Sequence, residues 1–457
     1  MSGRYMIAQH VEVARVTIEV TSPLLIGTGA GDDLVDAVCV MDANGLPVLP
    51  GSSLAGVLRH AWGEGADDLF GFQRGQGGSR SRLTVSWGQV HGADDRPVAP
   101  RARLDGRDEV LTLLRSMVLR DHVRLDGRGV VDERGKFDEQ LVPRGARFTF
   151  ELWLDEGSGE GLMPLIRLLA SPALRLGGRT RRGLGAFKVV RVASRAFNLT
   201  RDREAFLRLP VSLDQKADVL QAWKPDALQG AGDAGALRCS VQLLPEGTVL
   251  FGAGDAPEGA SGAVAEADRF PVTERAILWR EGRGTVSKPM LVLPASGVKG
   301  ALRHRVGFWA RALGDARLDG DVDGQEAEEV EELFGSIRGR DGRGQAGRVV
   351  LDDFLPAEWT LHARQHVSID RFSGAPMDGL LFGEAPAHLE EPWALSLWVH
   401  RPAEVSHRAR RALQLAIDDL GAGRLAVGGG ASRGHGWFRA LGEVRWSDPQ
   451  WLQGGAR

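Results

Sequence analysis

The chain has 457 residues, 43% of them hydrophobic and 26% charged, with a formal net charge of −3. That length allows about two to four domains, each able to bury a core, and the near-neutral balance by itself argues against a general polyanion binder. No apolar run approaches the roughly 20 residues of a membrane span, and no charged-then-apolar signal region is read at the N-terminus. Cys39 and Cys239 are too few for a disulfide framework or a thiolate metal site, so the expected compartment is the cytoplasm.

In chain order, the alternating β-branched run Val11-Glu12-Val13-Ala14-Arg15-Val16-Thr17-Ile18-Glu19-Val20 predicts a strand. A Gly-rich loop follows, then strand-like Val38-Cys39-Val40-Met41, a turn at Asn44-Gly45, and Pro47-Val48-Leu49. Ser52 or Ser53 is expected to cap a helix carrying Leu54, Val57, Leu58 and Trp62. Later come a strand over 148–154, a helix over 162–169, and a Gly-rich loop running into the strand Ala186-Phe187-Lys188-Val189-Val190. Residues 197–236 read as a linker. The second half repeats this plan from Leu237 to Trp446, with inserts near 255–290 and 315–332, the latter acidic and expected to be solvated. The order of strands and helices fits an α+β chain of two tandem ferredoxin-like (RRM-like) domains, 1–196 and 237–457.

The duplication is written in the motifs. Pro50-Gly51-Ser52-Ser53-Leu54-Ala55-Gly56 returns as Pro294-Ala295-Ser296-Gly297-Val298-Lys299-Gly300, and His122-Val123-Arg124-Leu125-Asp126 returns as His366-Val367-Ser368-Ile369-Asp370, both 244 residues on. Gly177-Gly178-Arg179-Thr180-Arg181-Arg182-Gly183-Leu184-Gly185 returns as Gly428-Gly429-Gly430-Ala431-Ser432-Arg433-Gly434-His435-Gly436. Two shorter echoes, Ile26-Gly27-Thr28-Gly29 with Phe251-Gly252-Ala253-Gly254 and Leu69-Phe70-Gly71 with Leu333-Phe334-Gly335, keep the same order. A period this long indicates a duplicated domain and not a solenoid.

The motif chemistry suits a phosphate backbone. A Pro-Gly helix start leaves unpaired N–H groups, with hydroxyls from Ser52 and Ser53 beside them. The 177–185 loop brings backbone close while Arg179, Arg181 and Arg182 can fork phosphate oxygens. The second loop keeps its glycines but only Arg433, which predicts weaker binding there. Arg59-His60 and Arg303-His304 are equivalent pairs on the motif helices, as His122 and His366 are in the later segments. Each equivalent histidine admits an RNA contact or a retained structural hydrogen bond.

Taken together, the Pro-Gly-Ser-Ser-Leu-x-Gly helix start, the Leu-Phe-Gly after it, the Gly-Gly-Arg-Thr-x-Arg-Gly-Leu-Gly loop and Ile369-Asp370-Arg371-Phe372-Ser373-Gly374-Ala375 resemble the RAMP superfamily of CRISPR-associated proteins. More narrowly, the chain resembles two fused backbone subunits of a type III effector complex. The resemblance implies palm-and-thumb domains that coat a guide CRISPR RNA and kink its duplex with single-stranded target RNA. The thumbs would fall at 122–141 and 366–384. The partners it implies are other RAMP backbone subunits and the large and small subunits of the complex, with no membrane. RNA contacts carried over to this sequence are Gly51, Ser52, Ser53, Arg59, His60, His122, Arg124, Gly178, Arg179, Arg181, Arg182, Ser296, Lys299, Arg303, His304, His366, Arg371 and Arg433. It also implies endoribonuclease activity through an aspartate shortly before the Pro-Gly-Ser-Ser motif. Asp36 matches that position, with Asp32 and Asp33 close enough to compete, and a weakly held Mg²⁺ or Mn²⁺ on Asp36 would assist attack by the ribose 2′-OH. In the second half the best sequence match sets Glu274 opposite Asp36, with Asp268 a weaker substitute, which argues for an inactive second site. A catalytically silent RNA scaffold and a guide-processing endonuclease are the alternatives.

Overall fold

The computed structural model describes residues 9–29, 31, 35–125, 131–155, 161–224, 235–253, 255–314, 327–336 and 344–453. The main antiparallel sheet of each half has its strands in the same spatial order. In the first, Phe187–Asn198, His10–Val20, Arg147–Asp155 and the short strands Leu83–Val85 and Gly88–Val90 lie side by side. In the second, Phe438–Ala440, Leu237–Pro245, Trp393–Val399 and Val349–Leu351 repeat that order. Last–first–third–second is the order that a split βαβ unit produces.

Period-2 alternation explains how each sheet is covered. Along His10–Val20, Ala14, Val16, Ile18 and Val20 point into the main core with Leu54 and Leu58 of helix Gly51–Trp62. Val11 and Val13 point the other way and would be bare on a simple sheet. Residues 197–224 cover them: Phe197 and Leu220 close a second small core there, and Gln221–Ala222 adds a strand beside Phe187–Asn198. The described part of the expected linker is therefore packed on the first sheet, because that end of the strand is apolar on both faces. Leu237–Pro245 buries only Leu237, Cys239, Val241 and Leu243, against helices Ala295–Leu313 and His407–Gly421, and turns Arg238, Ser240, Gln242 and Leu244 to its other face.

Local expectations change in three places. Residues 38–41 make isolated bridges, Cys39 to Gly27 and Met41 to Pro47, not a continuous strand. Neither Ser52 nor Ser53 caps the motif helix, since Pro50 is its N-cap and no side chain bonds there. Gly51 follows because a Cβ would lie 2.2 Å from the Val85 carbonyl oxygen. Of the acidic insert, the described end is a packed helix, Glu328–Phe334, that buries Val330, Leu333 and Phe334 and pairs Glu329 with Arg408.

The insert near 255–290 holds a hairpin, Ile277–Arg280 and Arg283–Val286, that docks on the first half. Ile277 is buried in the first core, and Trp279 donates to the Gly145 carbonyl at 2.7 Å beneath the Arg147 guanidinium. Burying an isoleucine of this kind contributes roughly 1.5–3 kcal/mol, so the hairpin fastens one half to the other.

Candidate nucleic-acid interface

Each half raises a two-stranded hairpin beside its Gly-rich loop: Val118–Leu125 with Val131–Leu141, and Arg364–Ile369 with Pro376–Glu384. A buried glutamate anchors each hairpin at its root. Glu139 is 1% exposed and accepts from Arg179 Nε at 2.6 Å, with His122 Nε2 at 3.3 Å and Arg182 at 4.0 Å. Glu384 is fully buried and meets Arg433 Nε at 3.0 Å, His366 Nε2 at 3.1 Å, His435 Nε2 at 3.2 Å and Arg269 at 3.5 Å. Both histidines stack on a phenylalanine, His122 on Phe137 and His366 on Phe382.

Burial works to raise each carboxyl, but hydrogen bonds outweigh it: His122 and Arg179 hold Glu139, and Arg433 and His435 hold Glu384, below the ordinary carboxylate range. Burial pushes His435 down despite Glu384. So Arg179 and Arg433 serve first to neutralise buried charge, which is costly to leave unpaired, and His122 and His366 pack against the same carboxylates.

The loop holding Asp36 runs along the hairpin root. Asp36 N–H donates to Asp138 Oδ1 at 2.9 Å, Asp138 N–H donates back to Asp36 Oδ2 at 3.0 Å, and Ala37 bridges Glu139 in parallel. In the second half the same pattern belongs to Asp268. Its N–H donates to the Gly383 carbonyl, its Oδ2 accepts from Gly383 N–H at 2.7 Å, and Arg269 bridges Glu384 in parallel. The flanking bonds agree: Val40 N–H reaches the Ile26 carbonyl as Val272 N–H reaches that of Phe251. Asp268, exposed like Asp36, is its structural counterpart.

Glu274 is not at that position. It is buried and pairs with Arg120 of the first hairpin, so it joins the halves and cannot face solvent. Asp32 and Asp33 lie outside the described residues. Among the described residues no three His, Cys, Asp or Glu side chains gather as a metal set. Asp36 would hold a divalent ion only as a hydrated one shared with a phosphate.

Between the halves the first Gly-rich loop seats on the start of helix Ala295–Leu313. A Cβ on Gly183 would meet Ala295 Cβ at 2.5 Å and the Leu351 carbonyl at 2.9 Å, which together with its φ of +94° requires glycine. Lys299 Nζ donates to the Arg181 and Val349 carbonyls, both at 2.7 Å. Burial, then Arg181, Arg303 and Arg182, push Lys299 down to about 7. Burial, then Arg181, Arg175, His60 and Arg401, push His400 down to about 4. The seam is thus crowded with positive charge.

The family model described as the RAMP superfamily matches residues 17–188 and again 282–439. The chain belongs to the RAMP superfamily. No curated protein matches it. Two cryo-EM structures of the type III-B Cmr-beta complex, one in the apo state and one bound to cognate target RNA, each hold a chain 14% identical to this one. Each alignment covers 39% of this chain and 96% of the other, with TM-scores of 0.30 and 0.31. The second RAMP match begins at residue 282, in the turn of the docking hairpin, so Asp268 is placed by hydrogen bonds and not by that match.

The remaining predicted contacts fall into two groups in this RAMP chain. Ser52, Ser53, His60, His304 and Arg371 are exposed, and Gly178 lies exposed beside Leu25, to whose carbonyl its N–H donates at 2.7 Å. Arg59 is held by Asp67 and the Gly71 carbonyl, and Arg303 reaches the matching Gly335 carbonyl at 3.4 Å. Ser296 is half-buried at the seam, and the side chain of Arg124 lies outside the described residues. Sequence reasoning missed Arg120, Glu139 and Glu384. A glutamate shared by both hairpins, with a histidine on the opposite strand, was the signal available.

Proposed function

We propose that this RAMP protein is a guide-RNA-binding backbone subunit of a type III CRISPR effector complex. The observation that carries the reading is the duplicated RAMP unit with two hairpins, each rooted beside a Gly-rich loop and an exposed aspartate. The hairpins expose apolar side chains, Leu119 and Val123 on the first and Val367, Ile369, Phe372 and Leu381 on the second, which suit unstacked bases. Arg371 lies over the Phe372 ring at the tip, where it can meet phosphate or base. Other RAMP subunits and the large and small subunits are the partners this reading implies. The guide RNA should co-purify with the chain and be protected from nuclease in register with the two hairpins. Absence of protected RNA would refute the reading.

A second reading, target-RNA cleavage, is favoured by one observation: Asp36 and Asp268 hold the same exposed position at equivalent hairpin roots. In the reaction the ribose 2′-oxygen bonds to the adjacent phosphorus and the P–O5′ bond breaks. A proton leaves the 2′-OH and one is delivered to O5′, giving a 2′,3′-cyclic phosphate and a 5′-OH. Each aspartate is placed to orient the 2′-OH or take its proton. In the assembled complex, Asp36→Ala and Asp268→Ala should each remove a different cut while guide binding is retained. Unchanged cuts in the double variant would leave the protein a scaffold.

A further inference from the structure

The halves meet in one orientation, with the hairpin-and-loop face of the first on the helix-start face of the second. Arg120 is 5% exposed at this junction and pairs with Glu274 and, at 2.6 Å, with Asp353. Asp353 also takes the Ala295 N–H at 2.8 Å, so one carboxylate caps the helix and receives the arginine. Gly183 lies against the same helix start.

The duplication supplies a counterpart for each of these residues. Arg364 stands opposite Glu384 on the second hairpin as Arg120 stands opposite Glu139 on the first. Arg364 is exposed and has no ion-pair partner among the described residues. Gly434, in the place of Gly183, has nothing within 4 Å of a Cβ added there, and neighbouring Ser432 is exposed. The face that is buried at the junction in the first half is therefore bare in the second, with its arginine retained.

At the other end of the molecule the complementary face has lost its acids. Leu293 pairs with Phe354 as Leu49 in its strand pairs with Gly88, which sets Trp87 in the place of Asp353, and Trp87 is 57% exposed. Met41 bridges Pro47 as Thr273 pairs with Leu291, which sets Asp42 in the place of Glu274. The Asp42 carboxylate is spent on the N–H groups of Asn44 and Leu46. Ala55 stands where Lys299 does.

We propose that the hairpin face of the second half, centred on Arg364 and Gly434, docks a different protein that carries two carboxylates at a helix start, arranged as Glu274 and Asp353 are. A second copy of this chain does not fit, because its own end offers Trp87 and an occupied Asp42. The junction inside the chain is the template: same arginine, same glycine approach, opposite charge across the contact. The inference stands on the duplicated junction and not on RNA binding.

A photo-crosslinking residue at Ser432, in the full chain expressed in its native cells, tests this. The expected product is a crosslink to a peptide of a different protein with paired acidic residues at a helix start. Arg364→Glu should lower its yield about tenfold, and replacing those acids by lysine should restore it. Arg364→Glu is at an exposed position, and unchanged thermal unfolding confirms that it folds. A crosslink to a second copy of this chain, a crosslink to RNA, a yield indifferent to Arg364, or no crosslink would each overturn the proposal. An Arg364-dependent crosslink on a chain that binds no RNA would support the docking face and refute only the function proposed above.

Discussion

The two hairpin roots have kept their chemistry, while the two helix starts have not. Glu139 and Glu384 each sit under a histidine stacked on a phenylalanine, with arginines from the adjacent loop. At the helix starts, by contrast, Asp353 caps one helix and binds Arg120, whereas Trp87 stands in its place at the other. A duplicated fold keeps what each copy needs for itself and diverges where its neighbours differ. The roots serve each hairpin separately. The helix starts face different things: one the rest of the same chain, the other whatever lies beyond it.

The largest expected contrast is between the paired arginines. Arg120→Ala leaves Glu274 and Asp353 buried without their cation and should cost about 3–5 kcal/mol in denaturant unfolding. Arg364→Ala, at the equivalent but exposed position, should fall within about 0.5 kcal/mol of wild type in the isolated chain. Equal losses would mean that the junction does not depend on the ion triad.

Next come the roots. Glu384 has four cationic or histidine partners and Glu139 three, so Glu384→Gln should destabilise more, by about 3 kcal/mol or above. Both carboxyls are held below their ordinary range. Their contribution is therefore fully present above the usual carboxylate pKa and is lost as pH falls through the lowered folded values. Each Gln variant should unfold in acid with a shallower pH dependence than wild type. A slope unchanged in both would show that neither glutamate is ionised in the fold.

The smallest effect concerns Lys299, whose counterpart is Ala55. With its pKa pushed down to about 7, the unfolded chain binds the extra proton between about 7 and the ordinary lysine value, so stability should rise with pH across that window. Lys299→Met should flatten this rise, as seen in urea midpoints between pH 7 and 9. A rise of the same size in the variant would place its origin elsewhere.

Much of this was legible in the sequence, for reasons that particular residues show. The Gly-rich loops and motif helices repeat with few changes because backbone geometry demands them: Gly183 and Gly434 both hold positive φ. The hairpins near 122–141 and 366–384 were implied by the resemblance to the RAMP superfamily. Asp268 was misplaced because the chain from Gly252 to Pro271 is longer than that from Gly27 to Cys39, and the docking hairpin adds residues after Val272. Local similarity of Val272-Thr273-Glu274-Arg275-Ala276-Ile277-Leu278 to Leu34-Val35-Asp36-Ala37-Val38-Cys39-Val40 then sets Glu274 against Asp36. Residues 197–236 read only as a linker because nothing local marks the second apolar face of His10–Val20. Arg120 lies 154 residues from Glu274 and 233 from Asp353 in sequence, and only the docked halves bring it to them.

The central claim is that the exposed side chains along the two hairpins, with Arg371 at the tip of the second, bind guide RNA. Its most direct test is the affinity of the full chain for guide RNA against salt concentration, for wild type and for Arg371→Glu. The account predicts a linear fall of log affinity with log salt, and weaker binding with a smaller slope in the variant. A flat salt dependence, or a variant indistinguishable from wild type in both affinity and slope, would contradict it.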